Sequence, residues 1–274
     1  MYRKIRNLAS LIKQIIFKRK ELRLYLELSS ERTKASEYLE RYNLEKIKTE
    51  QDNRDVKNPL WDYFQNNKEG NGIWKWEHYF DIYHKHFNKF INKEVKVLEI
   101  GIYSGGSLGM WKSYFGDKCK IYGVDIKEAC KIYENDQTKV LIGDQEDRNF
   151  WKNLFKEIGP IDIIIDDGGH TTEQQRITLE ETLSEINPGG IYLCEDVHRE
   201  NNRFAEYTKS FVDELNKIKV NSNKNNLTSG VTNFQSSIKS ICYYPYVTVI
   251  EKYEAPISKL SAPKHGTVWQ PFFD

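Results

Sequence analysis

The chain has 274 residues, 39% of them hydrophobic and 30% charged, with a formal net charge of +1. That length holds one large α/β domain, with or without appendages, and the near-zero charge gives no global field to recruit nucleic acid. The mean hydropathy of -0.70 implies solvated peripheral helices around a modest core, and no apolar run approaches the ~20 residues of a membrane-spanning helix.

Residues 1–72 read as a helical arm and linker, distinct from a domain at 73–274. Leu8, Leu11, Ile12, Ile15, Ile16, Leu22 and Leu26 recur at helical spacing, the signature of an amphipathic helix. The first 28 residues carry eight Lys or Arg against two Glu. Such a helix can make peripheral contact with an anionic membrane surface. Packing on its own protein or across a homo-oligomer is the preferred reading, because apolar helix faces usually find protein partners. A second helix is expected over 34–48. Charges at Lys13 and Lys18 interrupt any signal-peptide core, and Cys119, Cys130, Cys194 and Cys242 show neither CxxC nor zinc spacing. The expected location is therefore the reducing cytoplasm. Residues 51–72, with Pro59, Gly70, Gly72 and several Asn, read as a linker holding a short helix.

In the segment 73–90, Trp76, Tyr79, Phe80, Tyr83 and Phe87 recur at helical spacing and read mostly as core. Short β-branched runs then predict strands at 95–100, 120–126, 139–143, 161–166 and 190–196, with helical patterns at 107–115, 148–157 and 173–186. Strands alternating with helices predict a doubly wound, mostly parallel α/β sheet covered on both faces. A helix is expected over 204–220 and a polar loop over 221–229. Runs at 237–244 and 246–253, split only by Pro245, predict an antiparallel pair at the C-terminal edge of the sheet.

Four motifs carry chemistry. VLEIGIYSGGSLGMW (97–111) is a strand, a glycine turn and a helix; Gly101, Gly105 and Gly106 let the backbone approach a ligand closely. Its GxxxGG spacing departs from the GxGxxG of dinucleotide enzymes, and Glu99 at the strand end would sit badly beside a pyrophosphate. Both argue against an NAD dehydrogenase. Asp125 ends the next strand, where a carboxylate can accept ribose hydroxyls; the alternative is a helix cap. GDQED (143–147) is a third acidic strand end, placed for adenine or for capping.

IDIIIDDGGH (161–170) and GGIYLCEDVH (189–198) put acids directly after apolar strands, at the carboxyl edge where open α/β sheets bind ligands. Neighbouring strands lie about 4.8 Å apart, so Asp167, Glu195 and Asp196 could share one small volume. Three carboxylates that close repel unless a cation or protons intervene. A hard divalent ion such as Mg2+ satisfies them, unless they point apart and cap the following helices. Asp166 reads as a cap or a cofactor-side group. His170, in the glycine turn beyond Asp167, reads as a general base; His198 reads as a substrate or outer contact.

HYF (78–80), EIGIYSGGSL (99–108), YGVDI (122–126), GDQ (143–145), IDDGGH (165–170) and LCEDVH (193–198) together resemble the metal-dependent sugar O-methyltransferases of bacteria. These include the macrolide sugar enzymes of the mycinamicin type and are related to the rhamnosyl O-methyltransferase and cephalosporin-hydroxylase-like group. The resemblance spans about 76–198 and implies a class I, Rossmann-like methyltransferase domain with an N-terminal helical extension. It implies S-adenosylmethionine as methyl donor, Mg2+ or another divalent cation, and a sugar-containing acceptor. Carried onto this sequence, the metal ligands are Asp167, Glu195 and Asp196, with Glu195 28 positions after Asp167, and the base is His170. The donor contacts expected beside them are Glu99, Gly101, Tyr103, Ser107, Asp125, Asp144, Gln145 and Asp166, and the expected acceptor contacts are His198 and Tyr79. Two alternatives share the same residues: a catechol-type metal-dependent O-methyltransferase, and a donor-binding partner protein without catalysis. Clustered acids plus His170 argue against the second.

Overall fold

A computed structural model of the chain describes residues 2–42, 57–198, 202–223 and 226–267. The chain divides into two compact units, 1–56 and 57–274. In the first, α1 (Tyr2–Tyr42) is one continuous helix of 41 residues, where two were expected; residues 43–48 of the second expected helix lie outside the described residues. Ion pairs one turn apart, Arg23–Glu27 at 2.9 Å and Lys34–Glu31 at 2.6 Å, line its surface. Phe17, Leu22, Leu26 and Leu28 are exposed on it. Among the described residues no helix is long and apolar enough to cross a membrane.

The second unit begins before the expected boundary at 72. Asn58 caps α2 (Pro59–Asn66), its side chain accepting from the Leu60 and Trp61 amides, while its own amide donates to the Phe80 carbonyl. Leu60 is fully buried in the core. A segment that supplies core is part of the domain, not a linker to it.

Next come α3 (Tyr79–Phe87), β1 (Val95–Ile100), α4 (Gly106–Phe115), β2 (Cys119–Asp125) and β3 (Thr138–Ile142). They are followed by α5 (Arg148–Ile158), β4 (Ile161–Asp166), α6 (Thr172–Thr182), β5 (Ile186–Cys194) and α7 (Phe204–Leu215). The chain closes through β6 (Lys219–Asn223), β7 (Asn226–Gly230), α8 (Asn233–Ser237), β8 (Ile238–Tyr244), β9 (Val247–Lys252) and β10 (Lys259–Pro263). The main sheet has the order β3-β2-β1-β4-β5-β9-β8. Its first five strands are parallel, β9 runs antiparallel to β5, and β8 runs antiparallel to β9. The strand order reverses between β1 and β4, so the carboxyl ends of β1, β4 and β5 frame the crevice in which such sheets bind ligands.

Side chains alternate across a strand, which gives the unit two cores. Val97, Ile163, Ile165, Ile191 and Leu193 face α2, α3 and α4, whereas Leu98, Ile100, Ile164, Tyr192 and Cys194 face α5, α6 and α7. A second, three-stranded antiparallel sheet of order β10-β7-β6 takes up most of the segment expected to be a polar loop. Polar side chains carry no period to betray such pairing, because the ladder bonds are made by backbone groups alone.

Candidate active site

The glycine turn between β1 and α4 is held in an uncommon backbone shape. Gly101, Tyr103 and Gly105 have φ of 87°, 48° and 74°. A Cβ on Gly101 would collide with the Asp167 carbonyl, so only glycine lets β1 and β4 end this close together. Asp125 accepts from the amides of Ile102 at 2.9 Å, Tyr103 at 3.2 Å and Lys127 at 2.8 Å. Its carboxylate thus fixes the turn and the start of the following segment. Tyr103 is 76% exposed above the turn. Asp144 stands exposed at the end of β3. A cleft of about 420 Å3, lined in part by Tyr63, Asn71, Gly105, Gly106 and Tyr133, adjoins the turn and includes none of the acids at the strand ends.

Strand parity sorts the acids. Glu99, Asp167 and Glu195 continue the rows of Val97, Ile165 and Leu193 on the α3–α4 face, and all three converge on one ammonium. Lys75 Nζ lies 2.5 Å from Asp167 Oδ2, 2.9 Å from Glu195 Oε2 and 3.8 Å from Glu99 Oε1. The Lys75 side chain is 4% exposed. Burial alone would lower the ammonium's pKa, but the three carboxylates outweigh it and hold it above the ordinary range. Burial raises the pKa of Glu195, and Lys75 opposes the shift. Tyr83 donates to Glu195 Oε1 at 2.7 Å, and Ser107 donates to Glu99 Oε2 at 2.8 Å. Glu99 Oε1 is buried without a hydrogen-bond partner.

Asp166, expected as a cap or donor-side group, and Gln145, expected beside the donor, are both buried. Asp166 has the opposite parity, is 0% exposed, and accepts from Tyr192 at 2.9 Å and Gln145 at 3.4 Å. Burial pushes its pKa up to about 7. Gln145 accepts from the Gly169 amide at 2.5 Å and so shapes the loop that carries His170. Asn202 completes that support, donating to the His170 carbonyl at 2.8 Å and to Gln175 at 2.7 Å, while Gln175 donates to the Glu195 carbonyl at 2.9 Å.

Asp196 follows Glu195 but does not continue the strand. Its φ of 51° swings it to the solvent side, where Oδ1 accepts from Tyr79 at 2.7 Å and Trp76 at 3.1 Å. His198 Nε2 lies 3.3 Å from the same oxygen, and His170 Nε2 lies 3.6 Å from Oδ2. Burial raises the Tyr79 pKa well above the ordinary range and keeps it a donor. Asp167, His170 and Asp196 each offer a ligand atom, all within 4.8 Å of one another. Two carboxylates and an imidazole in that span fit a divalent cation. Glu195, expected as the third carboxylate ligand, is turned away toward Lys75.

Sequence reasoning missed Lys75; of the aromatic stripe read mostly as core, Tyr79, Phe80, Tyr83 and Phe87 are buried, while Trp76 is 49% exposed. Trp76 and His198 both face Tyr246, with ring centroids 5.5 Å and 4.5 Å away. Tyr246, in the β8–β9 turn, has φ of 62°, and its carbonyl accepts from the Val197 amide at 2.9 Å.

No family model matches the chain. Among solved structures, MycE methyltransferase from the mycinamycin pathway, in complex with Mg and SAH, superposes with a TM-score of 0.58 at 27% identity. The match covers 72% of this chain and 55% of that one. This is a class I methyltransferase fold. Within it, the glycine turn and acidic strand ends lie at the edge where sheets of this kind bind ligands. The methyltransferase fold is joined by sequence similarity. Demethylmacrocin O-methyltransferase of Streptomyces fradiae is 41% identical over 122 residues, which are 42% of this chain and 30% of that protein. Mycinamicin VI 2''-O-methyltransferase of Micromonospora griseorubida is 38% identical over 122 residues, again 42% and 30%. The 2'-O-methyltransferase of 8-demethyl-8-alpha-L-rhamnosyl tetracenomycin-C from Streptomyces olivaceus is 35% identical over 137 residues, 47% and 36%. The chain therefore spans about a third of the length of these relatives.

Proposed function

We propose that this chain is an S-adenosylmethionine-dependent O-methyltransferase that moves a methyl group to a hydroxyl of a sugar-containing acceptor. Mg2+ or another divalent cation is held at the Asp167–Asp196 edge. The observation that carries the proposal is the grouping of Asp167, His170 and Asp196 within 4.8 Å beside a glycine turn at the carboxyl edge of the sheet. The names of the similar enzymes, O-methyltransferases that include a rhamnosyl 2'-O-methyltransferase, support a sugar acceptor.

When bound, the cation supplies Lewis acidity, which lowers the pKa of an acceptor hydroxyl. The rest belongs to the chain. Asp125 and Gly101 set the turn against which the donor's nucleoside lies, and Tyr103 stands above it. Tyr79 fixes the carboxylate of Asp196. The exposed rings of Trp76, His198 and Tyr246 give the apolar face of a sugar ring a surface to stack on. His170 Nε2 takes the proton from the reacting oxygen.

The test is His170→Ala. Turnover should fall about 10²–10⁴-fold, while SAH at 100 times its dissociation constant still stabilises by about 2.7 kcal/mol. Unchanged turnover removes His170 from the reaction, and turnover indifferent to EDTA contradicts the cation. A substrate panel separates the acceptor classes: methylation of catechols and of no glycoside would transfer the assignment to the phenolic class.

A further inference from the structure

We propose that Lys75 is a positioning residue that acts as a tethered counter-cation. It holds Asp167 and Glu195 in place before the divalent ion arrives, and it competes with that ion for them. The inference rests on the cation reading above and extends it to a residue outside every acidic motif.

The geometry is that of a cation site already filled. The Lys75 ammonium touches Asp167 at 2.5 Å and both oxygens of Glu195 at 2.9 and 3.0 Å, with Glu99 at 3.8 Å. Its side chain is 4% exposed, and those of Glu99 and Glu195 are 0% and 1% exposed. Buried acids this close need positive charge, because desolvation and mutual repulsion both oppose their ionisation. An ammonium on a flexible four-carbon stem is a compact point charge that can supply it and can also move.

The same contact explains why Glu195 stands apart from the ligand group of Asp167, His170 and Asp196. Asp167 belongs to both sets: its Oδ2 is the nearest atom to Lys75. A divalent ion on Asp167 therefore meets an ammonium on the same carboxylate. It must push Lys75 back or bind against its repulsion, which is strong where water is excluded. The enzyme gains a metal-free site that does not fly apart, at the cost of weaker metal binding.

The experiment measures Mn2+ binding to the full chain by counting free Mn2+ with EPR, without donor or acceptor, for the wild type and Lys75→Met. The dissociation constant of K75M should be at least tenfold lower. A side chain that only supported the fold would loosen metal binding when removed. Measurable wild-type binding that is unchanged or weaker in K75M overturns the inference and leaves the cation reading standing. Absence of Mn2+ binding in both proteins removes the cation reading, and this inference with it. If K75M is unfolded without metal, refolding in millimolar Mn2+ supports the counter-cation role, because the ion has replaced the ammonium. A variant that stays unfolded in Mn2+ overturns it.

Discussion

Asp196 owes its place to backbone shape. A non-glycine residue with φ near 50° costs about 1–3 kcal/mol and persists only where its surroundings insist on it. Here Tyr79, Trp76 and the Val197–Tyr246 backbone bond do so. Gly101 is the matching requirement on β1. Gly101→Ala should lower the melting temperature and abolish the SAH-induced thermal shift, since the added Cβ meets the Asp167 carbonyl; an undiminished shift would show that the turn does not carry the donor. A second residue-scale prediction concerns His86. It joins Glu251 at 2.8 Å and Tyr244 at 2.9 Å, tying α3 to β8 and β9. The hydrogen bond from His86, with its charge, pulls the Glu251 pKa from 4.5 down to about 2. A depressed carboxylate stabilises the fold above its unfolded pKa and loses that contribution as pH falls from about 4.5 toward 2. Glu251→Gln should cost about 1.5–3 kcal/mol at pH 7 by urea unfolding and less at pH 3; an equal cost at both would refute the assignment. At this scale the acids were legible, because charges directly after apolar strands mark the carboxyl edge. Parity also separates Asp166 from Asp167. Lys75 was not legible, since it lies 92 and 120 positions from the carboxylates it meets and belongs to no repeating pattern.

At the level of elements, the seven strands of the main sheet were legible because each is a short β-branched run between turn residues. Their neighbours in space followed less readily. β9 lies inside the sheet and only β8 at its edge, whereas the sequence places the two together at the edge without an order. The β6–β7–β10 sheet left no apolar alternation to read. α2 is the short helix expected within 51–72, but its setting among Pro, Gly and Asn made the segment read as a linker, although it supplies Leu60 to the core. Leu60→Ala should therefore destabilise the second unit by about 2–5 kcal/mol, measured by denaturant unfolding; a cost below about 0.5 kcal/mol would return the segment to linker status.

Over the whole molecule, the sheet order brings together three features far apart in sequence: a glycine turn at the end of β1, acids and an imidazole after β4, and acids after β5. Lys75 and Trp76 reach the same edge from the segment before α3. The most direct test of that convergence is anomalous diffraction from a crystal grown with Mn2+ and SAH. The account predicts one strong peak in contact with carboxylate oxygens of Asp167 and Asp196, with SAH against the Gly101–Gly105 turn. A peak elsewhere, or SAH bound with no ion at those carboxylates, would contradict it.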